Sequence, residues 1–205
     1  MDKHKFQGKY RIESTRLKDY DYSRNGAYFV TICTKNSMHL FGSIVDQKLI
    51  PNRQAEVVTE CWLDLPAHYT NCVLDKFIIM PNHVHGIIII DNEIAETGLK
   101  LNNTIVETGF KPDKVVVVET GLKPVSTAGR VAKPYPLSEI IRGFKTFSAR
   151  SINEYQNTRG KAFWQSRFFD HIIRNREELK RIRQYIIENP LKWELEKYNH
   201  ENLFM

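Results

Sequence analysis

Apolar positions along this chain change their period several times, and each change marks an element. Ala27-Tyr28-Phe29-Val30-Thr31-Ile32-Cys33-Thr34 is dense in β-branched and aromatic residues and predicts a strand. Phe41-Gly42-Ser43-Ile44-Val45 predicts a shorter one, reached through a loop holding Lys35, Asn36 and Ser37. Beyond Pro51-Asn52, the residues Val58, Cys61, Trp62 and Leu65 recur at helical spacing, and Pro66 ends the segment. Residues 73–80 and 83–90 are two apolar runs parted by a turn-like Pro81-Asn82. Further on, Leu137, Ile140, Ile141, Phe144, Phe147 and Ser148 predict one face of a helix, and residues 167–174 read as an aromatic and basic strand. Asn175 followed three residues later by Glu178 resembles a capping box that opens a last helix. Leu179, Ile182 and Ile186 would face inward from it, and Pro190 predicts its end at Asn189. Few strands with interspersed helices argue for an α+β fold: an antiparallel sheet with helices packed on it, ferredoxin-like or of the RNA-recognition type.

Residues 91–136 interrupt this order. Glu96-Thr97-Gly98-Leu99-Lys100, Glu107-Thr108-Gly109-Phe110-Lys111-Pro112 and Glu119-Thr120-Gly121-Leu122-Lys123-Pro124 are near copies, too closely spaced to be solenoid units. They read as a flexible insertion lying outside any active site. Residues 1–19, with Lys3, Lys5, Lys9, Arg11, Arg16 and Lys18, read as a basic arm or a solvated terminus. The whole of 1–205 is then one decorated domain.

Composition narrows the function classes. A chain of 205 residues with 41% hydrophobic content can bury one real core. A formal charge of +6 and a pI near 9.2 favour a polyanionic partner. Cys33, Cys61 and Cys72 form no CxxC pair and sit in apolar surroundings, which fits a reducing compartment. No run approaches the length of a membrane span and no signal-like segment opens the chain. The expectation is a cytoplasmic protein with no membrane partner.

The chemistry concentrates in Met80-Pro81-Asn82-His83-Val84-His85-Gly86. On a strand, His83 and His85 project from the same face, so their ring nitrogens can jointly hold a divalent metal. A His-x-His pair is more often structural, but here two imidazoles interrupt an otherwise buried apolar run and require partners. Tyr185 and Asn189 stand at i and i+4, which places a phenol and an amide oxygen on one helical face. By spacing alone Tyr185 reads as an ordinary position of an amphipathic helix and Asn189 as a helix-ending residue; if both instead serve the histidine pair, two imidazoles and one amide oxygen would make a three-ligand site with room for a phosphate oxygen, suited to Mg²⁺ or Mn²⁺.

With Phe163-Trp164-Gln165, Asp170-His171-Ile172-Ile173-Arg174-Asn175 and Tyr185-Ile186-Ile187-Glu188-Asn189-Pro190 in order behind the histidine block, the chain resembles the REP-associated tyrosine transposases. These belong to the single-tyrosine HUH (IS200-like) group. The likeness runs from about Tyr20 to Trp193, apart from the insertion. It implies a palm-like sheet, a metal on His83, His85 and Asn189, and Tyr185 as the nucleophile. It further implies a 5′-phosphotyrosine intermediate on single-stranded DNA carrying a hairpin from a repetitive palindrome. Such proteins occur as monomers and as homodimers. Arg142, Lys145, Arg150, Trp164, Arg167 and Arg174 are the candidate DNA contacts, cations for phosphates and the ring for stacking. Two other classes fit parts of the pattern: phosphoesterases with two His-x-Thr/Ser motifs, and a recognition-motif module that binds single-stranded nucleic acid without chemistry.

Overall fold

The computed structural model describes residues 5–6, 9–10, 17, 19–93 and 134–201. Most of the repeat-containing segment expected at 91–136, and most of the arm expected at 1–19, lie outside the described residues. Two short strands, β1 (Lys5–Phe6) and β2 (Lys9–Tyr10), pair at the N-terminus.

Four strands make the central sheet: β3 (Gly26–Cys33), β6 (Cys72–Met80), β7 (His83–Ile90) and β8 (Phe169–Ile173), in the order β6-β7-β3-β8. Every pairing is antiparallel. Because side chains alternate across a strand, the register decides which residues meet. Tyr28, Val30, Ile32, Val84 and Ile88 turn to one face, where they join Trp62 of α1 (Arg53–Leu63) and Ile140, Ile141 and Phe144 of α3 (Leu137–Tyr155). Phe29, Ile87 and Ile173 turn to the other, where Ile186 of α4 (Arg176–Glu201) completes a smaller cluster. The sheet is thus a central layer between two helical layers, which establishes the α+β antiparallel architecture. A four-residue helix, α2 (Leu65–His68), follows α1 directly with Pro66 inside it, so Pro66 does not end the helical segment.

Three further readings of the sequence need correction. A second strand, β5 (Lys48–Pro51), pairs with β4 (Gly42–Val45) as a hairpin. Its turn residues Asp46 and Gln47 hold φ of 49° and 60°, a conformation that Gly usually announces and that is silent here. Phe147 is exposed and its ring stacks on His68, because Phe144 and Ser148 define the buried face of α3 and Phe147 flanks it.

The third correction concerns α4, which continues through Pro190 instead of ending at Asn189. Proline removes one backbone donor and crowds the preceding turn, at a cost of roughly 3 kcal/mol. The helix beyond it is held by tertiary contacts. The Gln47 N–H donates to Glu194 Oε2 at 3.0 Å, and the Trp193 ring lies 5.4 Å from His39 and 5.9 Å from His83. At its other end α4 starts as read: Asn175 Oδ1 accepts from the Glu178 N–H at 2.8 Å, while Glu178 Oε2 accepts from the Arg174 N–H at 2.7 Å. An irregularity in β6 between Leu74 and Phe77 places Asp75 to pair with Arg183 through two hydrogen bonds, which ties α4 to the sheet two residues before Tyr185.

Candidate active site

Why do two histidines lie inside this sheet? The Pro81-Asn82 turn that precedes them is held by neighbouring backbone. Leu40 and Phe41 N–H groups donate to Pro81 O at 2.8 and 3.0 Å, and the Thr34 N–H donates to Asn82 O at 2.9 Å. Pro81 lacks an N–H, so its burial leaves no donor to satisfy. The turn delivers His83 and His85 onto the α4 face of β7, with Val84 and Gly86 on the opposite face. Gly86 is required there: an added Cβ would stand 2.3 Å from Trp62 Cζ2.

The two Nε2 atoms face each other at 3.0 Å. Their second nitrogens are both engaged, and the partners decide the tautomers. Asn82 Nδ2 donates to Ser37 O at 3.2 Å, which leaves Asn82 Oδ1 to accept from the His83 Nδ1–H at 2.7 Å. His83 Nε2 therefore carries a lone pair. The proton between the rings then belongs to His85 Nε2, and His85 Nδ1 accepts from the Thr31 hydroxyl at 2.8 Å. Thr31 sits directly opposite His85 in the β3–β7 register, so the sheet supplies this contact. Burial lowers the pKa of both rings, to about 4 for His83 and about 3 for His85, where the neighbouring His83 adds to the effect. Both imidazoles are neutral at pH 7.

Across this pair stands Tyr185. Its hydroxyl is 3.5 Å from His85 Nε2, and its ring is 5.4 Å from the His85 ring and 6.0 Å from Phe29 in edge-on contact. Phe29 lies 5.2 Å from His85 as well, so one aromatic residue braces both. Tyr185 retains 39% exposure, enough for a macromolecular substrate to reach its oxygen. The Lys192 ammonium lies 5.1 Å from the centre of the same ring. Asn189, one turn beyond Tyr185, is buried at 7% exposure, and no hydrogen bond joins its amide to either imidazole. The donor set fits a divalent cation. Two neutral imidazoles converge on one point, and an amide-bearing turn of α4 lies beside them; a cation there would take the lone pair of His83 Nε2 and would require the His85 proton on Nδ1, where the Thr31 oxygen would accept it.

Of the candidate DNA contacts, Arg142, Lys145 and Trp164 line one groove beside α3, and Arg150, Arg167 and Arg174 lie outside its lining. Arg142, Arg150, Arg167 and Arg174 are exposed, Arg142 with Glu139 Oε1 at 3.3 Å. Lys145 donates to the main-chain oxygens of Gln165 and Ser166. Trp164 is a correction. It is buried at 7% exposure, packs against Phe41, Phe144 and Phe163, and donates its indole N–H to Ser148 Oγ at 3.0 Å. A core ring of this kind offers no face for stacking. The sequence reading did not include Thr31, Asn82, Phe29, Trp193 and Lys192. Asn82 was in view inside the histidine block, whereas Thr31 and Phe29 become visible only once the β3–β7 register is known.

His68-Tyr69-Thr70 is a His-x-Thr spacing, as a two-motif phosphoesterase would need. It does not serve that reading. His68 closes α2, bonds Asp64 Oδ2 at 2.8 Å and stacks on Phe147, all in the helical layer on the other side of the sheet.

The model of the IS200-like transposase family matches residues 129–189, a span that includes Tyr185 and Asn189 but not the histidine pair. The chain belongs to the IS200-like transposase family. An uncharacterized protein of Haemophilus influenzae is 32% identical over 190 residues, covering 91% of this chain and 92% of that protein. The solved structure of a REP-associated tyrosine transposase bound to a REP hairpin superposes with a TM-score of 0.50 at 15% identity, over 88% of this chain and 74% of that one. At that identity the likeness is one of fold. Among the described residues no helix is long and apolar enough to cross a membrane.

Proposed function

We propose that the protein cleaves and rejoins single-stranded DNA through Tyr185, with His83, His85 and Asn189 holding Mg²⁺ or Mn²⁺. The observation that carries this reading is the 3.5 Å approach of an exposed phenol to a neutral, converging histidine pair, His85 buried and His83 half-buried. A bound divalent cation would polarise the phosphodiester and neutralise charge that builds on its oxygens as the tyrosine oxygen attacks.

This chain's own residues do the rest. Phe29 and the α4 backbone hold the phenol in place, and the Asp75–Arg183 pair prevents α4 from sliding along the sheet. Tyr185 Oη forms a bond to phosphorus while the bond from phosphorus to the 3′ oxygen breaks. The phenol proton passes to solvent, and the departing oxygen takes one up as a 3′-hydroxyl. The product is a 5′-phosphotyrosine, and the freed hydroxyl can reverse the step. Because one phosphodiester replaces another, no nucleotide cofactor is required. The REP hairpin bound by the fold neighbour and the basic balance of this chain make hairpin-bearing single-stranded DNA the fitting substrate, handled by a monomer or a homodimer.

The test is adduct formation. Wild-type protein with Mn²⁺ and a hairpin-bearing oligonucleotide should give a covalent species that denaturation does not dissolve, mapped to Tyr185. Tyr185→Phe removes one oxygen and keeps both ring contacts, so it should fold and bind while forming none. An adduct on another tyrosine refutes the assignment, and no adduct at all leaves the recognition-motif binding module in its place.

A further inference from the structure

The segment joining α3 to β8 creates a second concave surface. A groove of about 490 Å³ runs between α3 and residues 161–168. Arg142, Lys145 and Lys161 line it together with the hydroxyl-bearing Ser138 and Thr146. The carboxylate paired with this group is Glu139, on Arg142. Lys145 is placed unlike an ordinary surface lysine. It is partly buried, and its ammonium donates to the carbonyls of Gln165 and Ser166, the latter at 3.1 Å. Carbonyls satisfy its N–H groups but do not neutralise its charge, and burial without a counter-charge lowers its pKa. A groove holding three cations and one paired carboxylate would be stabilised by an anion.

Its position suggests which anion. Residues 163–165 extend the sheet beside the end of β3: the Lys35 N–H donates to Phe163 O at 2.8 Å, Trp164 bridges to Thr34, and the Gln165 N–H donates to Cys33 O at 2.9 Å. Cys33 is the residue paired with His83. The wall of the groove is therefore continuous with the histidine end of the sheet. We propose that the groove is a second phosphate subsite, which grips the sugar-phosphate backbone of the DNA strand where it rounds that end of the sheet. This rests on the single-stranded DNA reading of the Tyr185 site and extends it to a part of the surface that performs no chemistry.

The experiment measures binding apart from chemistry. Fluorescence anisotropy with a hairpin-bearing single-stranded oligonucleotide compares wild-type protein, an Arg142→Gln/Lys161→Gln variant and a charge-matched Arg24→Gln/Lys180→Gln variant. Each single-strand phosphate contact contributes about 0.7 to the slope of log affinity on log salt. The groove variant should bind about tenfold more weakly, with a slope lower by about 1.4, and the control should match wild type. Lys145→Met, which keeps the stem and removes the charge, should lower the slope by about 0.7. The Arg24→Gln/Lys180→Gln control should keep the wild-type melting temperature and adduct yield, and circular dichroism checks that each groove variant is folded before its affinity is compared. Equal affinity in the folded groove variant, or an equal loss in the control, overturns the subsite. Binding without any adduct would refute the tyrosine chemistry while the same comparison still decides the groove. A wild-type protein that binds no single strand overturns both.

Discussion

Gly86 follows the histidine pair directly, and the structure sets what an added methyl group would do there. Its Cβ would lie 2.3 Å from Trp62 Cζ2, 2.8 Å from Cη2 and 3.2 Å from Phe77 Cβ. Ordinary carbon contacts need at least about 3.5 Å, so the indole must retreat by about 1 Å or β7 must move. The indole has nowhere to go. Trp62 is wholly buried, with Phe77 at 5.7 Å on one side and Phe144 edge-on at 5.2 Å on another. Overpacking of this kind costs about 1–3 kcal/mol, offset by roughly 0.4–1 kcal/mol because alanine restricts the unfolded chain. Gly86→Ala should therefore lose about 1–2 kcal/mol, a fall of roughly 3–8 °C in melting temperature for a domain of this size. Urea denaturation of Gly86→Ala, Trp62→Phe and the double variant forms a cycle that isolates the clash. With the smaller ring in place the alanine should cost at least about 1 kcal/mol less. A Gly86→Ala protein as stable as wild type, or an equal cost in both backgrounds, would refute the packing argument.

Three further outcomes follow from the site and the chain around it. Thr31→Val removes the group that orients His85, and Mn²⁺ affinity by calorimetry should fall about 10- to 100-fold while the fold persists; unchanged affinity would exclude Thr31 from orienting a ligand. Both imidazoles stay neutral in the folded protein down to about pH 4 but protonate near 6.5 when unfolded. The unfolded chain thus binds more protons across that window, and the stability these groups contribute is complete above pH 6.5 and lost as pH falls toward 4, on the order of 3 kcal/mol for each ring. Denaturation series should show that slope in wild type and a smaller one in His83→Gln/His85→Gln; equal slopes would contradict it. Replacing residues 95–133 with a linker of about six Gly/Ser residues should preserve adduct formation and raise stability by about 1–2 kcal/mol through the shorter loop, and a less stable deletion protein would count against it.

That last expectation draws on both sequence and structure. The repeats mark the segment as an insertion, and hydrogen bonds at its edges make a short bridge feasible. Asn71 Nδ2 donates to Asn92 Oδ1 at 3.0 Å and to Tyr135 O at 3.1 Å, so one buried side chain holds the chain before and after the repeat-containing segment. Nothing in the local pattern around Asn71 announces this role, since its two partners are distant in sequence.

The same contrast separates what was legible from what was not. Strands β3, β6, β7 and β8 and helices α1 and α3 could be read because burial on a sheet face or helix stripe imposes a period. The β4–β5 turn could not, because Asp46 and Gln47 adopt positive φ without glycine. Pro190 misled because proline's local penalty is a property of residue type, whereas the contacts that outweigh it, Glu194 with Gln47 and Trp193 with His39 and His83, come from elements far along the chain. Trp164 misled for the opposite reason. An aromatic residue among arginines looks like a stacking platform until Ser148, a polar position on the buried face of α3, is seen to take its N–H. A buried serine facing a tryptophan is a paired hydrogen bond that neither residue predicts alone. The candidate chemistry follows the same rule: the residue types were visible in the histidine block and the last helix, but the tautomers of His83 and His85 depend on Ser37, Asn82 and Thr31, whose arrangement only the register of β3 against β7 and the closure of the Pro81-Asn82 turn bring about.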